Sequence, residues 1–255
     1  MLATFLGTGT SQGIPVIGCA CKTCVSSDSK DKRYRSSIYI DDHKNKFLID
    51  IGPDFRSQML ENNISDLDHI LLTHEHADHT AGMDDVRPIN FKHKKDIFLH
   101  AEARVVKDLS ERFNYIFAGT YPGLPKIKLG TISEGWNNIN GSDLLVFRVH
   151  HGKLPILGFK LGKLTYITDA SLIKAEEIDL LKDKTDTLVI NALRKESHPS
   201  HFSLAEALDA ISTINPRICY LTHLSHHMGN HKEIEKVLPP NVFIAHDNLQ
   251  ISFGS

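Results

Sequence analysis

The stretch His74-Glu75-His76-Ala77-Asp78-His79 decides how the rest of the chain is interpreted. It places three imidazoles and two carboxylates directly after the apolar run 70–73. Imidazole and carboxylate groups suit zinc, manganese and iron. In an extended segment residues two apart point the same way, so His74 and His76 can bind one ion. Asp78 and His79 follow where the chain turns, and they can face a second ion beside the first, as a two-metal hydrolytic site requires.

The spacing separates this motif from the helical zinc-protease motif, which needs a histidine four residues after the first one. In this chain the position four after His74 is Asp78. The hexapeptide instead resembles the His-x-His-x-Asp-His signature of the metallo-β-lactamase superfamily.

Length and composition bound the class of protein. The chain has 255 residues, of which 41% are hydrophobic, and its net charge is −2. No linker or composition break divides it, so we expect a single metallo-hydrolase domain spanning residues 1–255. No run approaches the roughly 20 apolar residues of a membrane span, and the first residues lack the features of a signal peptide. We therefore expect a cytoplasmic enzyme that makes no membrane contact.

Strands and helices alternate along both halves of the predicted structure. The predicted strands cover residues 4–6, 36–41, 46–50, 70–73, 96–100, 144–149, 164–168, 187–190, 218–222 and 242–245. The predicted helices cover residues 53–62, 101–113, 173–181, 204–214 and 231–237. Ser203 and Glu206 form a capping-box pattern before the fourth helix. The segment 114–140 contains several Gly and Pro residues, and we expect it to be irregular and in part a lid.

Metal-binding residue types follow several of these strands. His74, Asp169 and His223 each follow an apolar strand and a threonine, and His151 also follows a strand. In α/β sheets, sites gather beyond the carboxyl ends of strands. We therefore predict one site. His74, His76 and His151 bind one ion, Asp78, His79 and His223 bind the other, and Asp169 bridges both.

The order and intervals of these seven residues resemble the metallo-β-lactamase superfamily over most of the chain. The resemblance implies an α/β fold of the four-layer αβ/βα sandwich type. It also implies two divalent metal ions at the active site. The sequence leaves their identity open between zinc, manganese and iron.

Three of the four cysteines cluster at Cys19, Cys21 and Cys24. In a reducing compartment such a cluster favours metal over disulfides, and structural zinc needs a fourth ligand. The cluster, together with residues 221–226, resembles the cyclic phosphodiesterase family of phosphonate breakdown. There the second histidine of the Thr-His-x-Ser-His motif completes a structural zinc site, and in this chain that residue is His226. A pyrroloquinoline-quinone biosynthesis protein shares a similar cluster, so the subfamily stays open. Cys219 lies in an apolar run and is expected in the core.

The ligands and the resemblance together predict a dinuclear metal-dependent hydrolase of phosphoric diesters. A metal-bridging hydroxide attacks the phosphorus of a small or cyclic phosphodiester, and Asp78 belongs to the catalytic machinery as a ligand. His201 matches a catalytic position of the phosphodiesterase family and is the candidate acid for the leaving oxygen. His198 competes for that role. Asp50 is expected to accept a hydrogen bond from a ligand histidine.

Other residues near the motifs receive weaker roles. His150 is expected beside the site and not on the metal, because His151 fits the family pattern better. Arg87 and Arg194 could contact a substrate phosphate, but surface or ion-paired arginines are commoner, and we leave them out of the predicted site.

Alternative functions remain open at this point. Another hydrolase of the superfamily would cleave RNA, a thioester or a lactam, and an accessory protein of the pyrroloquinoline-quinone type would lack catalysis. Scattered lysines and a net charge of −2 give no nucleic-acid footprint, so we expect a small-molecule phosphodiester and no nucleic acid. The non-phosphate part of the substrate and the oligomeric state stay open, a homodimer included.

Overall fold

The computed structural model describes residues 1–254, in which strands and helices form two sheets with helices outside. The strands are β1 (Leu2–Gly7), β2 (Ser37–Asp41), β3 (Lys46–Ile49), β4 (His69–Leu71), β5 (Ile97–Ala101), β6 (Ile127–Thr131), β7 (Gly135–Ile139), β8 (Ser142–His151), β9 (Leu154–Leu161), β10 (Leu164–Ile167), β11 (Thr187–Asn191), β12 (Ile218–Thr222), β13 (Val242–Ile244) and β14 (Gln250–Ser252). The α-helices are α1 (Phe55–Glu61), α2 (Ala77–Thr80), α3 (Arg87–His93), α4 (Ala103–Arg112), α5 (Asn114–Phe117), α6 (Ala175–Leu181), α7 (Leu204–Ile214) and α8 (His231–Glu235). Short 3-10 helices lie at Ser29–Asp31, Met83–Val86 and His226–Met228.

Each sheet has seven strands and mixes parallel with antiparallel pairs. The first sheet has the order β14-β1-β2-β3-β4-β5-β6, and the second has the order β13-β12-β11-β10-β9-β8-β7. Strands β3 to β6 are parallel to one another, and so are β10 to β13. Neighbouring parallel strands end at the same edge of a sheet, so the residues that follow β4, β10 and β12 can meet between the two sheets.

Three apolar clusters separate the layers. In β3, Phe47 and Ile49 belong to the cluster between the sheets, whereas Leu48 belongs to the cluster under α1, α3, α4 and α5. In the second sheet, Tyr166 faces the inner cluster and Ile167 faces the cluster under α6, α7 and α8. Successive residues of a strand point to opposite faces, so each sheet buries both of its faces. The result is the predicted four-layer αβ/βα sandwich.

Most predicted elements are present, with bounds that shift by one or two residues. Strand β12 and helix α7 have the predicted bounds, and Ser203 and Glu206 form both bonds of the capping box. The prediction for segment 114–140 is wrong in part, because it contains α5, β6 and β7.

Strand β9 is an element that the sequence did not predict. Its residues include Pro155 and Gly158, which disfavour strands, yet it pairs with β8 along its whole length. A Cβ on Gly158 would lie 2.4 Å from the ring of Phe147, so the glycine makes room for that ring. Tertiary packing therefore outweighs local propensity here.

No helix within residues 1–254 is both long enough and apolar enough to cross a membrane.

Candidate metal centre

Four strand ends bring the predicted ligands together between the two sheets. His74 follows β4, His151 ends β8, Asp169 follows β10 and His223 follows β12. Potential ligand atoms at this centre form three groups in which all atoms lie within 4.8 Å of one another: His74, His76 and His151; His74, His79 and Asp169; and His151, Asp169 and His201. The groups overlap, so the geometry suits two neighbouring ions more than two separate sites.

In the first group, the hydrogen bonds of His74 determine which nitrogen faces the site. The Thr73 hydroxyl donates to Asp50 at 3.0 Å, so it accepts from His74 Nδ1 at 2.9 Å. His74 Nε2 is then a lone-pair nitrogen, and it lies 2.9 Å from His76 Nδ1. Burial lowers the pKa of His74 well below its usual value, so the ring stays neutral. A neutral imidazole is the form that binds a metal.

His151 is oriented by a backbone carbonyl. Its Nδ1 donates to Ser200 O at 2.7 Å, so its Nε2 faces the site. The ring centroids of His151 and His76 are 5.3 Å apart. Three imidazoles thus converge, and together they are a donor set for zinc, manganese or iron.

In the second group, His79 faces Asp169 and also Asp78, which lies beside the group. His79 Nε2 lies 3.1 Å from Asp78 Oδ2 and 3.1 Å from Asp169 Oδ2. The His79 Nε2 atom is buried and has no hydrogen-bond partner among the described residues. The geometry of its contacts with the two carboxylates does not fit a hydrogen bond. Burial lowers the pKa of His79, but Asp50, Asp169 and Asp78 outweigh burial and raise it well above the usual value.

His223 faces the same carboxylate and also contacts the Thr10 hydroxyl through Nε2, at 3.1 Å. The Ser36 hydroxyl donates to Gly9 O at 2.9 Å, so it accepts from His223 Nδ1 at 3.0 Å. His223 Nε2 then lies 2.9 Å from Asp169 Oδ1. Asp169 therefore faces His79 with one oxygen and His223 with the other.

The donor set fits divalent cations. The carboxylates around His79 raise its pKa, so this point of the interior favours positive charge, and a divalent cation can take the place of the proton on Nε2. Three of the residues that shape the site also have left-handed backbone: Asp50 at φ 63°, Asp169 at φ 56° and His223 at φ 56°. Non-glycine residues in that region cost free energy and gather at functional sites. The clusters can thus hold divalent metal, and Asp169 lies at ligand spacing from His74 and His151 and also faces His79 and His223.

His201 and His198 lie at the rim of this centre. His201 Nε2 is 3.0 Å from Asp169 Oδ1, whereas His198 is in contact with His201 and Ser200. Burial lowers the pKa of His201 to about 4. His201 is also grouped with His151 and Asp169 at ligand spacing. The position therefore suits either an acid next to the substrate or a further ligand.

The predicted zinc ligands of the N-terminal loop also meet. Cys19 Sγ and Cys21 Sγ both lie 3.3 Å from His226 Nδ1, and Cys24 completes a group within 4.8 Å. Sulfur and nitrogen at this spacing fit a tetrahedral zinc site. Cys219 is fully buried, as expected of a core residue.

The remaining predicted neighbours take the following places. Asp50 accepts from His79 Nδ1 at 2.7 Å, as predicted. His150 is partly buried and outside the ligand groups. Arg87 pairs with Asp84, and Arg194 donates to Ser197 O at 2.9 Å.

Sequence reasoning missed two residues that orient ligands. These are Ser36, which fixes His223, and Ser200, whose carbonyl fixes His151. A carbonyl acceptor leaves no mark in a sequence, because every residue has one. Ser36 follows no metal-type motif, so only the fold places it beside His223.

Residues 45–224 match the family described as "Beta-lactamase superfamily domain". The chain belongs to the β-lactamase superfamily. The match spans the seven predicted active-site ligands and His201, whereas the three clustered cysteines and His226 lie outside it.

A solved superfamily structure covers almost all of this chain. It is described as a new diphosphatase from the PhnP family, with 34% identity and a TM-score of 0.92 over 99% of this chain and 97% of the other. This likeness places the chain in the PhnP family and confirms the metallo-β-lactamase fold. Zn²⁺-bound PqqB from Methylobacterium extorquens has 18% identity and a TM-score of 0.80 over 99% of this chain and 100% of the other, and it shows the fold alone.

A curated relative carries a different name. "Octanoyltransferase" of Porphyromonas gingivalis (strain ATCC BAA-308 / W83) is 42% identical over 98% of this chain. The chain spans 51% of the length of that relative.

Proposed function

We propose that this metallo-β-lactamase-fold hydrolase is a dinuclear phosphodiesterase that acts on a small or cyclic phosphodiester. The observation that carries the proposal is the convergence of four strand ends on overlapping ligand groups, in which Asp169 lies at ligand spacing from His74 and from His151. The residues of these groups would hold two divalent ions, zinc, manganese or iron, and the ions would supply an activated water and positive charge for the phosphoryl oxygens. A third ion, a structural zinc, is proposed at the cysteine cluster.

The chain's own residues orient the site before substrate arrives. Thr73 and Asp50 fix the rings of His74 and His79, and Ser36 fixes His223. Because these partners are buried, the rings need no rearrangement when charge develops. Asp78 Oδ2 lies 3.1 Å from His79 Nε2, and Asp78 is more exposed than Asp169, the other carboxylate that faces this nitrogen.

His201 is the group that we propose for the leaving oxygen. Its pKa of about 4 leaves the ring neutral at pH 7 in the free protein. A bound phosphodiester brings negative charge next to the ring, and a nearby opposite charge favours the protonated form. Substrate binding would thus raise the pKa of His201 towards the range in which it can donate a proton.

A second candidate reaction is cleavage of a phosphoanhydride. The PhnP-family protein with 34% identity is described as a diphosphatase. Both reactions displace an oxygen from phosphorus and need the same two-ion site. They differ in the leaving group, which is an alcohol from a diester and a phosphate from an anhydride.

The name of the curated relative supports a third chemistry, acyl transfer from a thioester. That relative is about twice as long as this chain, so its name describes a larger protein. The histidine and carboxylate clusters described above carry no acyl nucleophile. We therefore include thioester cleavage in the test and place phosphoester cleavage first.

Partners and location complete the proposal. A net charge of −2 supports a small substrate over nucleic acid. None of the four cysteines forms a disulfide in the described part of the chain, which suits a reducing, cytoplasmic compartment. A homodimer fits the proposal equally well as a monomer.

A substrate panel tests the function. Protein stripped of metal is assayed before and after addition of zinc or manganese on bis(p-nitrophenyl) phosphate, a cyclic ribose phosphate, a dinucleoside diphosphate and an octanoyl thioester. We expect metal-dependent turnover of the diesters, with an Asp169→Ala preparation as the control for contaminating enzymes. Turnover of the anhydride alone would select the diphosphatase reaction, and turnover of the thioester alone would overturn both. No turnover of any substrate by the metal-loaded protein would favour an accessory role.

A further inference from the structure

Helix α4 packs against the loop that carries the metal motif, and Arg104 in its first turn contacts that loop directly. Arg104 Nη1 pairs with both carboxylate oxygens of Glu75. Its Nη2 donates to the carbonyl oxygen of Pro155 and lies 3.2 Å from Glu102 Oε2. One planar guanidinium thus spans two segments that are distant in sequence, which a lysine ammonium cannot reproduce.

Both segments supply ligands to the three-imidazole group. Glu75 lies between His74 and His76 in the chain. Pro155 lies opposite His150 in the β8–β9 ladder, one position from the pair formed by His151 and Leu154. The guanidinium therefore connects the backbone that positions His76 to the backbone that positions His151.

The last residue of α4 holds the same loop from its other side. Arg112 Nη2 donates to Glu75 O at 2.6 Å, and its Nη1 lies 3.3 Å from Thr80 Oγ1. The Thr80 hydroxyl in turn donates to His76 O at 2.9 Å. Together the two arginines fasten the loop at Glu75 and at the turn that follows His76.

His79 and His223, which are predicted to bind the other ion, have separate supports. His79 is held by Asp50, and His223 is held by Ser36 and lies 3.3 Å from Thr168 Oγ1. None of these contacts involves α4 in the described part of the chain. Loss of Arg104 should therefore disturb one ion and spare the other.

We propose that Arg104 is a positioning residue that sets the spacing of His76 and His151 and thereby the affinity of the three-imidazole group for its ion. The inference rests on the two-ion site of the proposed function, but not on the identity of the substrate. Arg104 and Glu75 are 33% and 26% exposed. Ion pairs that are partly exposed to solvent contribute little to the free energy of unfolding. The role of Arg104 should thus appear in metal affinity and leave the melting temperature of the metal-free protein nearly unchanged.

The test measures zinc binding to metal-stripped protein by chelator competition. Contacts behind a metal ligand are typically worth about 10–100-fold in affinity. We expect Arg104→Met to lower the affinity for one active-site ion by about tenfold or more. The affinities for the other active-site ion and for the cysteine-bound ion should be unchanged. Arg104→Lys should restore only part of the affinity. His76→Ala identifies the affected ion, since adding Arg104→Met to that variant should cause no further loss.

Arg148→Met is the matched control. Arg148 also pairs with Glu102, at 2.6 Å, and its other ion-pair partner is Glu134. The Arg148→Met variant should bind all ions with the affinity of the wild type. Arg104→Met could instead lower the affinity for every ion equally and lower the melting temperature of the metal-free protein. That result would show a general structural role and overturn the proposal. Unchanged zinc binding in Arg104→Met, or a wild type that takes no ion at the three-imidazole group, would overturn it as well.

Failure of the proposed function has a different signature. In that case the wild type binds both ions and cleaves no phosphodiester, while the selective loss in Arg104→Met persists.

Discussion

His79 donates from Nδ1 to Asp50 Oδ2 at 2.7 Å, and both side chains are almost completely buried. The bond leaves His79 Nε2 as the atom that faces Asp78 and Asp169. Burial raises the pKa of Asp50, even though His79 and Thr73 oppose this. Contacts with His79 and Thr73 stabilise the Asp50 carboxylate in the interior, and the bond to His79 orients the ring of that histidine.

The first prediction concerns Asp50→Asn. The amide keeps the size of the side chain but loses the charge that favours the Nδ1–H tautomer of His79. We expect the affinity for one active-site ion to fall by about 10–100-fold, measured by chelator competition. Asp186→Asn, which removes a surface pair with Arg217, should bind metal normally. Wild-type affinity in Asp50→Asn would show that the bond does not orient the ring.

The second prediction concerns Asp169→Ala. Asp169 lies at ligand spacing from His74 and His151, which are predicted to bind one ion, and it faces His79 and His223, which are predicted to bind the other. We expect elemental analysis to show both active-site ions lost and the cysteine-bound zinc kept. Two active-site ions still fully bound in this variant would refute the bridging assignment.

The third prediction separates two roles of His201. As the general acid, His201→Ala should keep both ions and lose rate by about 10²–10⁴-fold. The loss should be smaller for nitrophenolate, which leaves without a proton, than for an alkoxide. Loss of an ion would instead identify His201 as a ligand, in keeping with its spacing from His151 and Asp169. Equal rate losses for both leaving groups would indicate a role in binding.

Most of the fold and of the candidate site could be predicted from the sequence because ligand type and strand position coincide. His74, Asp169 and His223 follow apolar strands, and the carboxyl ends of those strands meet between the sheets. The local pattern was therefore sufficient to group residues that are far apart in the chain.

The parts that could not be predicted depend on tertiary contacts. Strand β9 forms despite Pro155 and Gly158 because β8 offers it a full ladder of partners. Ser200 acts through its carbonyl oxygen, and Arg104 acts through a loop that precedes it by about thirty residues of chain. Hydrophobic periodicity does not encode such contacts.

The fourth prediction concerns pH and lies outside the metal centre. His100 Nε2 is 3.1 Å from His69 Nδ1, and burial, followed by the charge of His69, lowers the pKa of His100 to about 4. An unfolded chain takes up this proton near pH 6.5. The stability that the neutral ring contributes is thus present above pH 6.5 and is lost as the pH falls towards 4.

We therefore expect the free energy of unfolding of metal-stripped protein to fall between pH 7 and pH 5. His100→Gln should remove on the order of 1 kcal/mol of that fall, a value reduced for partial solvent screening. Urea denaturation at both pH values measures the difference. Parallel pH profiles for the variant and the wild type would contradict the assignment.

The last prediction is the structural zinc at Cys19, Cys21, Cys24 and His226. This site would connect the N-terminal loop to the residues that follow β12, and a closed four-ligand zinc has no open position for water. Its contribution should therefore appear as stability, since the binding site is absent from the unfolded chain. We expect Cys21→Ser to lower the melting temperature and to remove one zinc per chain, while both active-site ions remain.

The activity of Cys21→Ser at a temperature at which the variant is folded should fall only slightly. His226 lies three residues after the ligand His223, so loosening the loop disturbs that ligand only indirectly. Cys219→Ser is unsuitable as a control because Cys219 is fully buried, whereas Ser26→Ala alters the same loop without touching a sulfur. A thiol count gives independent evidence. If Cys19, Cys21 and Cys24 all react with a thiol reagent in the native protein and no zinc is released, the three-cysteine, one-histidine site does not exist.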